Sequence, residues 1–259
     1  MTPEQIAEAA QRLDDAAKNA AAVDMLTITS PGLSVEDGYR IQRASVARRL
    51  GRGETLVGMK MGLTSRAKME QVGVFEPIYG HLTDAMRCEN NGLIARADHI
   101  HPRVEPEIAF VISRDIDRPI QANEAIGYID GVTSALEIID SRYKNFQFAL
   151  ADVVADNASS ARFVLGETLM RPHRINMSQI SMLMTINGAV VGQGMSDAIM
   201  GNPIESLVAL VQALVEQGES VKAGQIVLAG ATTAAVHVNP GDHICLDAEG
   251  LGVTEFSVT

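Results

Sequence analysis

The chain has 259 residues, 46% of them apolar and 20% charged, with a formal net charge of −11; this is the composition of an ordinary globular protein with ample core. The negative balance, unrelieved by any Lys/Arg cluster, argues against a nucleic-acid partner, though one local lysine and one cation still suffice to hold a small anionic substrate. Cys88 and Cys245 form no CxxC spacing, so neither a disulfide scaffold nor a zinc site follows; with no leader pattern and no run of about 18 apolar residues, a cytoplasmic protein without a membrane is expected.

Thr2-Pro3-Glu4-Gln5 reads as a capping box that opens a helix, with Ile6, Ala9, Leu13, Ala16 and Ala20 as its apolar stripe. A second helix is expected from about Ser34 to Leu50, with Tyr39, Val46 and Leu50 on one face. Arg48 and Arg49 suit the negative end of its dipole and Gly51 supplies the stop. Both helices have a packing role and no assigned chemistry. From Leu56 the character shifts to strands. Lys60 interrupts the run Leu56 to Met61 between Gly58 and Gly62, and a buried lysine there needs an anion, from a structural carboxylate or a substrate. A lysine snorkelling from a strand edge is the plainer alternative.

Glu105 and Glu107 stand two apart at the start of the apolar run Ile108 to Ile112. In an extended chain both point to one side, where a divalent cation relieves their repulsion. The polar face of a half-exposed strand has the same spacing. Glu137, between Ala135, Leu136, Ile138 and Ile139, is harder to leave unpaired, because burying an isolated carboxylate is costly. Three oxygen ligands with positions left open suit Mg²⁺ or Mn²⁺. His99 and His101, beside Pro102, read as a solvated turn. The short polar residues from Asp152 to Ser160 read as a turn or helix cap.

Met182 to Ile186, Asn187-Gly188 and Ala189 to Val191 form a hairpin signal. Asn202-Pro203 opens a further helix that Gly218 ends. Strands follow at Ile226 to Leu228, His243 to Leu246 and Val253 to Val258, with the loop Gly230 to Ala235 suited to a ligand or a tight turn. No linker interrupts the chain. The expected fold is α+β: one catalytic domain over 1–259, with a helical part over about 1–55 packed on a mixed β-rich body over about 56–259.

Four ordered segments carry a family likeness: Gly58 to Ser65, Pro102 to Phe110, Leu136 to Tyr143 and Ala155 to Ser159. Over nearly its whole length the chain resembles the fumarylacetoacetate hydrolase superfamily, in the hydratase and decarboxylase branch of meta-cleavage catabolism. The resemblance implies Mg²⁺, with Mn²⁺ as the substitute, held by Glu105, Glu107 and Glu137. It implies Lys60 as the catalytic residue, and Ser159, Asp156, Thr232 and Leu63 as substrate-binding residues. In the hydratases an Asp lies two residues before the Gly of the loop Val74 to Gly80; here that position is Ile78. The Glu-Pro-Glu spelling, Ser141-Arg142-Tyr143 and the loop Ala231 to Ala235 also resemble the decarboxylases. The implied reaction is decarboxylation of 2-oxo-3-hexenedioate to 2-hydroxypenta-2,4-dienoate, with hydration of that dienoate as the alternative. A homo-oligomer and an association with the sister hydratase are implied as well. A C–C hydrolase would need an activated water, and no His–acid pair in these segments supplies one.

Overall fold

The computed structural model describes residues 1–65 and 77–259. Helix α1 (Pro3–Lys18) opens on the expected capping box, Thr2 accepting from the Gln5 N–H and Gln5 accepting from the Thr2 N–H. Ile6, Ala9, Leu13 and Ala16 are buried, but Ala20 lies beyond the helix end at φ +46. The turn α2 (Leu26–Thr29) follows, then α3 (Val35–Gly51). Contrary to expectation, Leu50 is 39% exposed, and the buried face is Gly38, Ile41, Gln42 and Val46. Gly51 is not the stop either: Arg52 caps the helix, and Gly53 at φ +101 turns the chain away. The reason lies in α1. Buried Asp14 accepts from Arg48 at 3.0 Å and Arg52 at 2.6 Å, which fixes the roll of the last turn.

Among the described residues the main sheet has eight strands. Its order is β2 (Ile78–Thr83), β1 (Leu56–Gly62), β10 (Ile226–Ala231), β5 (Arg103–Ile112), β6 (Ile129–Ile139), β7 (Ser160–Leu165) and β3 (Arg87–Cys88), with β11 (Val236–His237) on β5. The second sheet runs β4 (Gly92–Ile94), β13 (Gly252–Val258), β12 (His243–Ala248), β8 (Ser181–Ile186) and β9 (Ala189–Met195). The β8–β9 hairpin turns through Asn187 at φ +52 and Gly188 at φ +80, both left-handed as its two-residue loop demands.

Among the described residues, three further helices are α4 (Ala122–Ala125), α5 (Leu150–Ala155) and α6 (Pro203–Glu216). Asn202 caps α6 by accepting from the Ile204 N–H, and Gly218 lies just past its end at φ +74. Ser196–Glu216 is long and apolar enough to match a membrane span by composition. Its helix proper has 14 residues, about 21 Å of rise against about 30 Å of bilayer core. Ile204, Leu207, Leu210, Val211 and Leu214 of that helix sit in the core with Met59, Phe110, Val227, Leu246 and Phe256. A smaller core joins α1, α2 and α3 through Ile6, Leu13, Leu26, Ile41 and Tyr143, so the helical part rests on the body rather than standing apart.

Candidate metal centre and active-site cleft

β5 and β6 pair antiparallel with Glu105 directly opposite Glu137 and Glu107 opposite Ala135. The two-residue period therefore brings all three carboxylates to one face. One oxygen from each lies within 4.8 Å of the others. Glu107 and Glu137 are 0% exposed and Glu105 is 8% exposed, so the half-exposed-strand reading is set aside. The Gly230 N–H donates to Glu107 Oε2 at 2.8 Å, while Glu107 Oε1 and Glu137 Oε1 are buried with no donor.

Lys60 alternates with Met59 and Met61, which enter the core, so its side chain leaves β1 on the other face. It does not snorkel: Nζ lies 3.0 Å from Glu137 Oε2 and donates to the Ala158 carbonyl at 3.2 Å. Burial works against the ammonium, but Glu137, Glu107 and Glu105 outweigh it and hold Lys60 above its ordinary range. Burial pushes Glu107 well above the usual carboxylate range, and the charge of Glu137 adds to it. Burial also raises Glu137, with Lys60 pulling the other way. One lysine cannot neutralise three buried carboxylates. Converging oxygens, two of them without a donor, fit a hard divalent cation.

A left-handed turn completes the surroundings of Lys60. Asn157, Ala158 and Ser159 follow α5 at φ 52, 50 and 58, three consecutive non-glycine residues in a conformation that costs free energy unless the surroundings enforce it. The enforcement is visible. Asn157 accepts from the His81 N–H at 2.8 Å and donates to the His81 carbonyl at 2.9 Å, like an extra strand against β2. Gly80 lets the turn approach, since a Cβ there would sit 2.6 Å from the Asn157 carbonyl oxygen. The turn thereby brings the Ala158 carbonyl to Lys60 and leaves the buried Ser159 Oγ without a partner beside the cleft.

The cleft has a volume of about 490 Å³. Leu63, Ile78, Ile139, Phe146, Phe148 and Val153 form its apolar wall, and Lys60, Arg103, Glu105, Gln147 and Ser159 its polar groups. Ile78, which replaces the acid of the hydratases, stands in that wall; Val74, Phe75 and Glu76 of the same loop lie outside the described residues. Two expected substrate-binding residues are placed differently. Asp156 does not line the cleft: Arg142 takes its carboxylate through the backbone N–H and Nε. Burial pushes that carboxyl up to about 6 against the pull of Arg142. Arg142 also donates to the carbonyls of Asp140, Ser160 and Asp156, so Ser141-Arg142-Tyr143 is the buried lock behind the turn. Thr232 commits both its N–H and its hydroxyl to the Pro106 carbonyl, and from its loop Ala234 and Ala235 reach the cleft instead. His99 is buried rather than solvated, with Nδ1 2.9 Å from the Ala95 carbonyl. Nothing in the loops foretold Phe146 and Phe148, but Arg103 was accessible to the same i, i+2 rule that singled out Glu105 and Glu107.

Fold and site together define a buried acidic triad able to hold a divalent cation beside a buried lysine. The profile for the fumarylacetoacetate (FAA) hydrolase C-terminal region matches residues 55–259. The chain belongs to the fumarylacetoacetate hydrolase family. It is 43% identical to a 4-oxalocrotonate decarboxylase of Pseudomonas sp, over 98% of each chain. It is also 37% identical to a 2-keto-4-pentenoate hydratase of Paraburkholderia xenovorans (strain LB400), over 99% of this chain and 96% of that one. Among solved structures, 4-oxalocrotonate decarboxylase from Pseudomonas putida G7, complexed with magnesium and adipate, superimposes with a TM-score of 0.98 at 37% identity, covering 100% and 99% of the two chains.

Proposed function

We propose that this protein is a Mg²⁺-dependent carboxy-lyase that converts 2-oxo-3-hexenedioate to 2-hydroxypenta-2,4-dienoate and CO₂ in meta-cleavage degradation of aromatic compounds. Support comes from the decarboxylase relatives and from the cleft, whose single acidic residue among the described lining residues is Glu105 of the triad. A hydratase would need a second group to move protons to and from water, and Ile78 occupies the wall where one is expected.

Glu105, Glu107 and Glu137 would hold the cation, which supplies Lewis acidity to the 2-oxo acid end of the substrate. In the reaction the bond to the distal carboxylate breaks, CO₂ leaves, and the electron pair passes through the conjugated C=C to the 2-oxo oxygen, which takes a proton from water to give the 2-hydroxy group. Lys60, held protonated by the carboxylates, offsets the negative charge that gathers at that end. Ser159 donates its unpartnered hydroxyl to a substrate oxygen, and Leu63 contributes apolar wall. The apolar side built by Ile78, Phe148 and Val153 excludes water from the conjugated chain between the two ends of the substrate.

Residues 1–259 act as one catalytic unit in this reading, in the cytoplasm, where the two free thiols Cys88 and Cys245 stay reduced. We further propose a homo-oligomer that associates with a hydratase, because the dienol product is the substrate such a partner consumes. Purified protein with Mg²⁺ and 2-oxo-3-hexenedioate should release CO₂ and generate the ultraviolet absorbance of the dienol. Hydration of added 2-hydroxypenta-2,4-dienoate without any CO₂ release would assign the sister activity instead.

A further inference from the structure

Arg103 stands two residues before Glu105 on β5, so its side chain emerges on the face that carries the triad. In register it lies opposite Ile139 of β6 and His237 of β11, and it lines the cleft. No carboxylate pairs with it among the described residues, and its Nε is buried without a hydrogen-bond partner, a costly state for a charged donor. Its guanidinium carbon sits 4.0 Å from the centre of the Phe146 ring. That ring is brought there by a strained loop, with Asn145 at φ +59 and Phe146 at φ +56. The His101 ring packs against Phe146 at 5.1 Å between centroids. A strained loop that covers one arginine with an aromatic ring fixes the guanidinium in place and withholds it from any structural acid.

Position gives this cation a ligand. Same-face residues on a strand repeat every 6.6–6.8 Å or so, which puts Arg103 about 7 Å beyond Glu105 along β5. Two carboxylates joined by a four-carbon chain are about 6 Å apart when extended, by ordinary bond lengths. We propose that Arg103, set by Phe146, is the residue that selects a dicarboxylate. It binds the distal carboxylate while the 2-oxo acid end lies at the triad. This deepens the proposed decarboxylation and rests on it for the identity of the substrate. A planar fork grips a carboxylate with two N–H donors, which a lysine cannot reproduce. The contact is made to a group that loses its charge in the reaction, so it favours binding more than turnover.

Calorimetry on the Mg²⁺-loaded protein with adipate and with hexanoate tests the assignment. Adipate should bind the unaltered protein more tightly than hexanoate. Arg103→Gln should weaken adipate about ten- to a hundredfold, the loss expected of one charge-assisted pair, and leave hexanoate within about twofold. Arg103→Lys should recover part of the loss, and Phe146→Leu, which keeps the charge but frees it, should weaken adipate by a smaller factor. Thermal unfolding of each variant establishes that it is folded. Equal binding of the two ligands by the unaltered protein, equal weakening of both by Arg103→Gln, or no change for adipate would each overturn the assignment. A failed CO₂ assay with the adipate preference still dependent on Arg103 would remove the decarboxylation and leave this selectivity standing.

Discussion

Lys60 Nζ and Glu137 Oε2 lie 3.0 Å apart, and both residues are buried. Glu107 Oε1 and Glu137 Oε1 stay buried without a hydrogen-bond donor beside that pair, and those two oxygens are the physical case for a cation. In the proposed reaction Lys60 would have two separable effects, since its ammonium would compete with a metal for the carboxylates and assist charge developing on a substrate.

Replacing Lys60 by Met should therefore divide those effects. Turnover should fall about a hundredfold or more, the scale of losing one preorganised electrostatic group. Mg²⁺ affinity should hold or rise, because a competing charge has gone. Calorimetric Mg²⁺ titration beside steady-state kinetics reads both, and full kcat with metal bound would remove Lys60 from the mechanism.

Glu107→Gln keeps the shape and can still accept from the Gly230 N–H. It should abolish metal-dependent turnover and weaken Mg²⁺ at least tenfold. The metal-free protein should nevertheless melt at a higher temperature than the unaltered one, because the substitution removes a carboxylate disfavoured by its burial and by Glu137 beside it. An unchanged Mg²⁺ requirement would refute the ligand assignment.

Metal-free stability should depend on pH in a direction set by Glu107. Burial, and then Glu137, raise its proton affinity in the folded state above the ordinary value of 4.5. Between that value and the raised one, the native protein keeps a proton that the unfolded chain has released, so stability falls as pH rises. In the proposed site Mg²⁺ would bind the deprotonated triad, so its stabilisation should grow over the same interval. Melting curves from pH 5 to 8, with chelator and with Mg²⁺, should diverge as pH rises; parallel curves would contradict the triad's role.

Gly80→Ala should disturb the site from behind. The added Cβ would meet the Asn157 carbonyl oxygen at 2.6 Å, and the turn that carries the Ala158 carbonyl and Ser159 must move. Overpacking of this kind costs about 1–3 kcal/mol, readable as a lowered denaturation midpoint. Turnover should fall with it, whereas Mg²⁺ affinity should change little, since the triad sits on β5 and β6. Unaltered kinetics in this variant would mean that the turn does not position the catalytic face.

Local rules carried well where one element contains the whole argument. The Thr2–Gln5 box, the Asn187-Gly188 hairpin and the Asn202 cap depend on residues within a few positions of one another, and each forms as its chemistry dictates. The rules failed where a distant partner decided. Leu50 belongs to a plausible apolar stripe, but Asp14 of α1 pulls Arg48 and Arg52 inward, and the face rolls until Leu50 meets solvent. Thr232 and Asp156 look equally free as sequence. Pro106 and Arg142 claim them through contacts across 126 and 14 positions.

The sequence by itself determined that Glu105 and Glu107 share a side of one strand, that Glu137 lies in another apolar strand and that Lys60 alternates against buried methionines. Those are consequences of a two-residue period, which needs no knowledge of neighbours. Only the tertiary structure decided that Glu105 faces Glu137 rather than a residue one step along, because antiparallel register is set by the pairing of whole strands. It also decided that Asn157, Ala158 and Ser159 bend left-handed, a conformation none of them prefers, which holds because His81 and Gly80 of β2 leave that shape and no other for the turn beside Lys60.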